Sequence, residues 1–389
     1  MKRADLDLLM DLLSQPTAPF CESFVLEFCA AYCERWQIPY FADPLGNLVL
    51  GASSKAAYLR RLRAKSQQPL RLFIAHTDHP GFQGVRWAGD GKLAIRWHGG
   101  SPVQYLNNST VWLASAAEGY LASGKFRQVK LAEHGRAIAG GIIDVGTEWT
   151  RSTRPAAEEL FGGFGFSKPA WRQGSTIYTK AADDLVGVYA VLRTARHVYK
   201  NSRGAEAPFL GLLTRAEEVG FVGAIGHFEL GWLQRASQPP LAVSLEASRT
   251  LPGAVVGGGP VVRLGDRRTV FDPSYLQALV ALAQARLPEK FQRRIMDGGS
   301  CEATAATAYG FPTIGLSVPL GNYHNQGLEG GAECRKLNGP APEFVHVDDV
   351  EGLVTLCQGV VGPRFLGGDP WQKLRSQLRK NYRDYKKLL

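Results

Sequence analysis

No run of about 20 apolar residues occurs anywhere in the chain, so no segment has the length of a membrane span. No Cys-x-x-Cys pair is present among the six cysteines. Cys21, Cys29 and Cys33 lie near the start, and Cys301, Cys334 and Cys357 lie far from them. That spacing does not suit a disulfide framework and fits free thiols in a reducing compartment. Repeats and low-complexity tracts are missing too. A make-up of 45% hydrophobic and 21% charged residues over 389 positions excludes a collagen-like or mostly disordered chain. The length allows two or three domains. Met1-Lys2-Arg3 has the charge of an export signal, but Asp5, Asp7 and Asp11 break the apolar run that should follow. A cytoplasmic location is therefore expected.

Acidic residues are missing from one stretch and scarce in another. Residues 54–66 carry Lys55, Arg60, Arg61, Arg63 and Lys65 with no acid. Residues 371–389 carry seven Lys or Arg against Asp384. These segments hold +5 and +6 of a net +10, which leaves the rest of the chain at −1. A neutral body does not indicate a nucleic-acid cleft, and no membrane partner is expected. The two basic segments read as solvated surfaces or as contacts for an acidic partner or RNA. In the second, Trp371, Leu374, Leu378, Tyr382 and Tyr385 recur at helical spacing. That pattern predicts a basic amphipathic helix that docks by its apolar stripe.

What is present alternates between helix and strand. Helices are predicted over 4–14, 22–36, 185–199, 273–287 and 349–361, the last starting on a capping box of Asp348 and Glu351. Strands are predicted over 48–50, 70–75, 209–214 and 241–245. Residues 83–175 differ: they are rich in Gly and Trp and hold alternating pieces such as Lys92-Leu93-Ala94-Ile95-Arg96-Trp97. The expected fold is therefore α/β: a three-layer, mostly parallel sheet with helices on both faces, interrupted by a small β domain. A discontinuous catalytic domain over 1–82 and 176–370, an insert over 83–175 and a basic tail over 371–389 complete the expected division.

Five places put metal-ligating side chains at the ends of predicted strands: His76-x-Asp78, Asp183-Asp184, Glu217-Glu218, Glu246 and His324. Ligands of open α/β sheets bind outside the carboxyl ends of the strands. Two histidines and three carboxylates there make a mixed N/O site suited to Zn²⁺ or a similar divalent ion.

The strings around these residues resemble the TET-type dinuclear metalloaminopeptidases, the glutamyl or deblocking aminopeptidases and cellulase-M-like peptidases. Ala75-His76-Thr77-Asp78-His79-Pro80-Gly81-Phe82 is similar to that family's Ala-His-x-Asp-Glu-Ile-Gly-Phe. Lys180-Ala181-Ala182-Asp183-Asp184-Leu185-Val186-Gly187 and Glu217-Glu218-Val219-Gly220-Phe221-Val222-Gly223-Ala224 resemble its central motifs. Pro16 to Glu22, Asp43-Pro44-Leu45-Gly46-Asn47 and Ser317 to His324 resemble others. The long gap between His76 and Asp183 falls where the family inserts its β domain, whereas deacetylase relatives place theirs later.

The resemblance implies two divalent metals, zinc first, with cobalt or manganese as alternatives. Asp183 would bridge them. His76 and Glu246 would complete one site, and Glu218 and His324 the other. Asp78 would hold the second nitrogen of His76, and Glu217 would be the general base. Short peptides are the implied substrates, and a homo-oligomer, from a dimer to a dodecamer, is the implied assembly through the insert. Departures are Glu246 for the usual Asp, His79 for Glu, Leu185 for Arg, Gly321-Asn322 for Arg-Tyr and Cys301-Glu302 for Thr-Asp. The loop from Asn325 to His346 is also longer. The leading reading is a metal-dependent aminopeptidase. A deacylase of N-acyl amino acids or amines is second, and a non-catalytic scaffold of the same fold is third.

Overall fold

The computed structural model describes residues 1–146, 149, 154–200 and 206–389. Residues 147, 148 and 150–153 of the expected insert lie outside the described residues. The chain opens with helices α1 (Arg3–Leu13) and α2 (Ser23–Arg35), strands β1 (Tyr40–Ala42) and β2 (Leu48–Leu50), helix α3 (Lys55–Arg63) and strand β3 (Arg71–His76). Six strands follow: β4 (Gly81–Gly89), β5 (Lys92–His98), β6 (Thr110–Ser115), β7 (Gly119–Leu131), β8 (Ile138–Asp144) and β9 (Leu160–Phe164). Next come β10 (Ala170–Gln173), β11 (Thr176–Thr179), α4 (Leu185–Tyr199), β12 (Phe209–Thr214), α5 (Val222–Glu229), β13 (Leu241–Arg249) and β14 (Val261–Asp266). The chain then runs through α6 (Pro273–Arg286), β15 (Gln292–Met296), α7 (Glu302–Ala308), β16 (Thr313–Leu320), β17 (Glu343–His346), α8 (Val347–Val360) and α9 (Gln372–Tyr385).

An eight-stranded sheet in the order β1-β2-β12-β3-β13-β16-β14-β15 is the frame of the site. Its centre, β12-β3-β13-β16, is parallel, while β2 and β14 run antiparallel to β12 and β16. Strand β3 explains why the centre is buried. Phe73 and Ala75 join one apolar cluster with α1, α2, α4, α6 and α8. Leu72 and Ile74 join another with α3, α5 and α7. Successive side chains of a strand point to opposite faces, so an all-apolar strand must be covered on both sides. The parallel register has a direct consequence for function. It pairs Thr214 with His76 and sets the C-terminal ends of β3 and β12 side by side.

Strands β4 to β9 close into an antiparallel barrel in the order β4-β5-β8-β7-β6-β9. Leu93, Ile95 and Trp97 alternate inward from β5 onto Phe82, Phe126 and Phe164. Strand β10 lies inside the range 83–175 expected for the insert, yet it pairs with β11, which pairs in turn with β17, in a separate three-stranded sheet.

Three local expectations are corrected. Helix α8 starts at Val347, and its cap is His346, whose Nδ1 accepts the Asp348 N–H. Asp348 is therefore not the cap, because β17 carries the extended chain on to His346. Strand β13 continues to Arg249, so Glu246 sits within the strand rather than at its end. The basic stretch 54–66 is not merely a solvated surface. Ser54 caps α3, Tyr58 and Leu62 are buried, and Arg61 donates to the Gly51 and Ala207 carbonyls. Helix α9 forms as expected, but none of its residues is buried. No helix among the described residues is long and apolar enough to cross a membrane.

Candidate metal centre

The parallel strands deliver the expected residues to one place. His76 is the last residue of β3, Glu217 and Glu218 follow β12, Glu246 comes from β13, and His324 follows β16. Asp183 arrives from the turn before α4, where the Asp183–Asp184 peptide is cis. Asp184 caps that helix by accepting the Gly187 N–H. Nε2 of His76 lies 3.4 Å from one Asp183 oxygen, and Nε2 of His324 lies 3.5 Å from the other. His324 Nε2 is also 3.3 Å from Glu218, and His76 Nε2 is 4.0 Å from Glu217. Three overlapping trios have their ligand atoms within 4.8 Å of one another. They are His76 with Glu217 and Glu218, His76 with Asp183 and Glu246, and Asp183 with Glu218 and His324.

Asp78 is buried beside this group, but its carboxylate has another duty. The nearer acceptor for His76 Nδ1 is the Asp78 backbone carbonyl at 3.1 Å, with the carboxylate at 3.5 Å. The carboxylate oxygens instead accept the N–H groups of Glu217 and Glu218. Asp78 therefore ties the strand carrying His76 to the loop carrying both glutamates.

Charge is the dominant feature here. Asp78, Asp183, Asp184, Glu217, Glu246 and Glu302 are all buried. Burial pushes the Glu217 carboxyl well above the ordinary range, with His76 opposing and Glu218, Glu246 and Glu302 adding to the shift. Burial also lifts Glu246 to about 8 despite Arg263, and Glu302 to about 7. His324 would be lowered by burial, but Glu218 and Asp183 raise it to about 10. One oxygen each of Asp183, Glu218 and Glu246 is buried with no hydrogen-bond partner. Crowded carboxylates with free lone pairs are costly without a counter-charge. Their geometry suits a divalent cation bound by oxygen and imidazole nitrogen.

Several residues around the centre had no assigned role in the sequence. Glu343 on β17 accepts the N–H groups of Ala182, Asp183 and His324, so it fixes the backbone on both sides of the cluster. Glu22 accepts from Phe20, Ala216 and Arg215, and so braces the approach to Glu217. Arg263 lies buried, its Nη1 4.0 Å from Glu246. His79, which replaces the usual Glu, sets its Nδ1 2.8 Å from the Asp183 carbonyl. Glu343 and Arg263 lie outside every quoted string, and their burial is what identifies them.

The barrel also reaches the centre through Gly99-Gly100. Gly99 has φ +83° and packs on Pro80 and Glu218. A side-chain carbon at Gly100 would sit 2.1 Å from His324 Nδ1. Gly100→Ala must therefore displace His324. A displacement of about 1 Å at a reacting centre costs on the order of 10²-fold in rate. Turnover at this centre should fall by about that factor while the unfolding temperature changes little. Unchanged kinetics would show that the barrel does not fix this imidazole.

The sequence pattern of the M42 glutamyl aminopeptidase family matches residues 58–328. Comparison with curated proteins finds no match. Among solved structures, the chain is similar to a TET aminopeptidase from a marine sediment archaeon of the Thaumarchaeota. The TM-score is 0.70 at 20% identity, over 94% of this chain and 98% of that one. The TET1 peptidase of Pyrococcus horikoshii, described as assembling into a tetrahedron or a large octahedral shell, gives a TM-score of 0.69 at 19% identity. It covers 92% of this chain and 99% of that one. An aminopeptidase from the archaeon Desulfurococcus kamchatkensis gives 0.70 at 19% identity, over 94% and 96%. The fold and the family pattern define a peptide hydrolase of mixed α/β architecture. The chain belongs to the M42 glutamyl aminopeptidase family, and the TET-type resemblance of its motifs is borne out.

Proposed function

We propose that this protein is a metal-dependent aminopeptidase that removes N-terminal residues from short peptides. The observation that carries the reading is the buried carboxylate cluster with unpartnered oxygens around His76 and His324. His76 and Glu246 would hold one divalent cation, Glu218 and His324 the other, with Asp183 between them. Zinc suits this donor set. When bound, such a pair polarises a scissile carbonyl and makes a water more acidic. Glu217 accepts the proton of that water and returns it to the leaving amine. Asp78 keeps Glu217 and Glu218 in place through their backbone amides. Glu343 does the same for Asp183 and His324.

The architecture proposed with this activity has three layers, helices covering both faces of the eight-stranded sheet. The barrel is an inserted domain through which copies of the chain associate, as the assemblies described for the TET relatives suggest. The free cysteines support a cytoplasmic setting. The substrate class is tested by comparing aminoacyl anilides with N-acyl amino acids on purified, zinc-loaded protein. The first set should be hydrolysed and the second left intact. Cleavage of N-acyl amino acids alone would replace the peptidase reading with deacylation. Removing the barrel should reduce the number of copies per particle seen in light scattering, and an unchanged number would refute its assembly role.

A further inference from the structure

The two segments that carry the whole net positive charge are far apart in sequence, but the chain just after the first meets the chain just before the second. Gln68, just past the first segment, donates from Nε2 to the Pro363 carbonyl at 3.2 Å. The Arg71 guanidinium, at the start of β3, lies 5.8 Å from the Phe365 ring. Trp371, where α9 begins, donates to Ser274 at the head of α6. Both segments therefore root at the N-terminal end of β3. His76 lies at the other end, about 17 Å away by strand length. The basic end of the molecule faces away from the metal centre.

Helix α9 has two contrasting arcs. At about 3.6 residues per turn, Trp371, Leu374, Leu378, Tyr382 and Tyr385 share one side. Leu374 is 48% exposed, Leu378 55% and Tyr382 62%. Arg375, Arg379, Arg383, Lys380 and Lys387 occupy the adjoining arc. Lys55, Arg60, Arg63 and Lys65 add exposed charge at the same end.

We propose that this end of the molecule binds an anionic lipid surface, with α9 lying in the headgroup layer. A strongly amphipathic helix of low overall hydrophobicity, basic on one arc and Leu, Tyr and Trp on the other, behaves in this way. The choice of occupant rests on charge complementarity and on the use of both arcs. A nucleic acid would satisfy the cations but leave the Leu374–Leu378–Tyr382 stripe in water. A bilayer takes the stripe into its boundary and the cations onto its phosphates.

Full-length protein floated with vesicles tests this. It should bind phosphatidylcholine vesicles containing phosphatidylglycerol and not phosphatidylcholine alone, and added salt should weaken binding. Arg379→Gln and Arg383→Gln should each weaken it about fivefold. Leu378→Asp with Tyr382→Asp should abolish it while anilide hydrolysis is unchanged, which shows that the variant is folded. No binding to the anionic vesicles, or binding that survives the stripe substitutions, would overturn the proposal. A fall in particle mass on the stripe substitutions would assign the stripe to a second copy and also overturn it. Tight binding of duplex RNA unaffected by those substitutions would do the same.

Discussion

Glu217→Gln should leave the fold and metal content near normal and lower turnover by about 10²–10⁴-fold, the range for a lost general base. The substitution keeps the size of the side chain and the backbone N–H that Asp78 accepts. It removes only the ability to take up a proton. Burial raises the Glu217 carboxyl above the ordinary range, the direction that favours proton uptake. Glu218 differs although it is the next residue. Its carboxylate lies 3.3 Å from His324, and Glu218→Ala should lower metal occupancy rather than proton transfer alone. Steady-state kinetics beside metal analysis separates the two. Retained turnover in metal-replete Glu217→Gln would remove Glu217 from the chemistry.

Asp183→Ala should lose both cations and nearly all activity. Each Asp183 oxygen faces a different imidazole, so its carboxylate is placed to serve both halves of the cluster. The loss should exceed the roughly 10–100-fold that follows removal of a supporting partner. Stability supplies an independent readout. A ligand that binds only the folded state raises its unfolding temperature. Added zinc should stabilise the native protein and leave Asp183→Ala unchanged. Metal-free, the variant should be less stable than the metal-free parent, because His324 and His76 hold the Asp183 carboxyl below the ordinary range and its loss leaves both imidazoles without that partner. A variant that still binds two ions would show that Asp183 is not the bridge.

Legibility from sequence follows the range of the forces involved. Strand-end motifs were readable because a parallel sheet gathers its C-terminal ends at one edge. His76, Asp183, Glu218, Glu246 and His324 do lie together there. Helix α4 and strand β12 matched their apolar patterns over 185–199 and 209–214. Helix α3 was missed because Lys and Arg dominate it and only Tyr58 and Leu62 face inward. The Asp348 cap was misread because local sequence cannot show that β17 runs to His346. Glu22, Glu343 and Arg263 could not be assigned at all. Their contacts to the residues around the cluster reach up to 194 residues along the chain, and only folding makes a buried carboxylate significant.

The central claim is that this cage holds two divalent cations on which hydrolysis depends. Metal stoichiometry, measured beside aminoacyl-anilide hydrolysis before chelation, after it and after zinc is restored, tests that claim most directly. Two ions per chain, activity lost on chelation and recovered with zinc are the predicted result. Full activity in protein stripped of metal would contradict it.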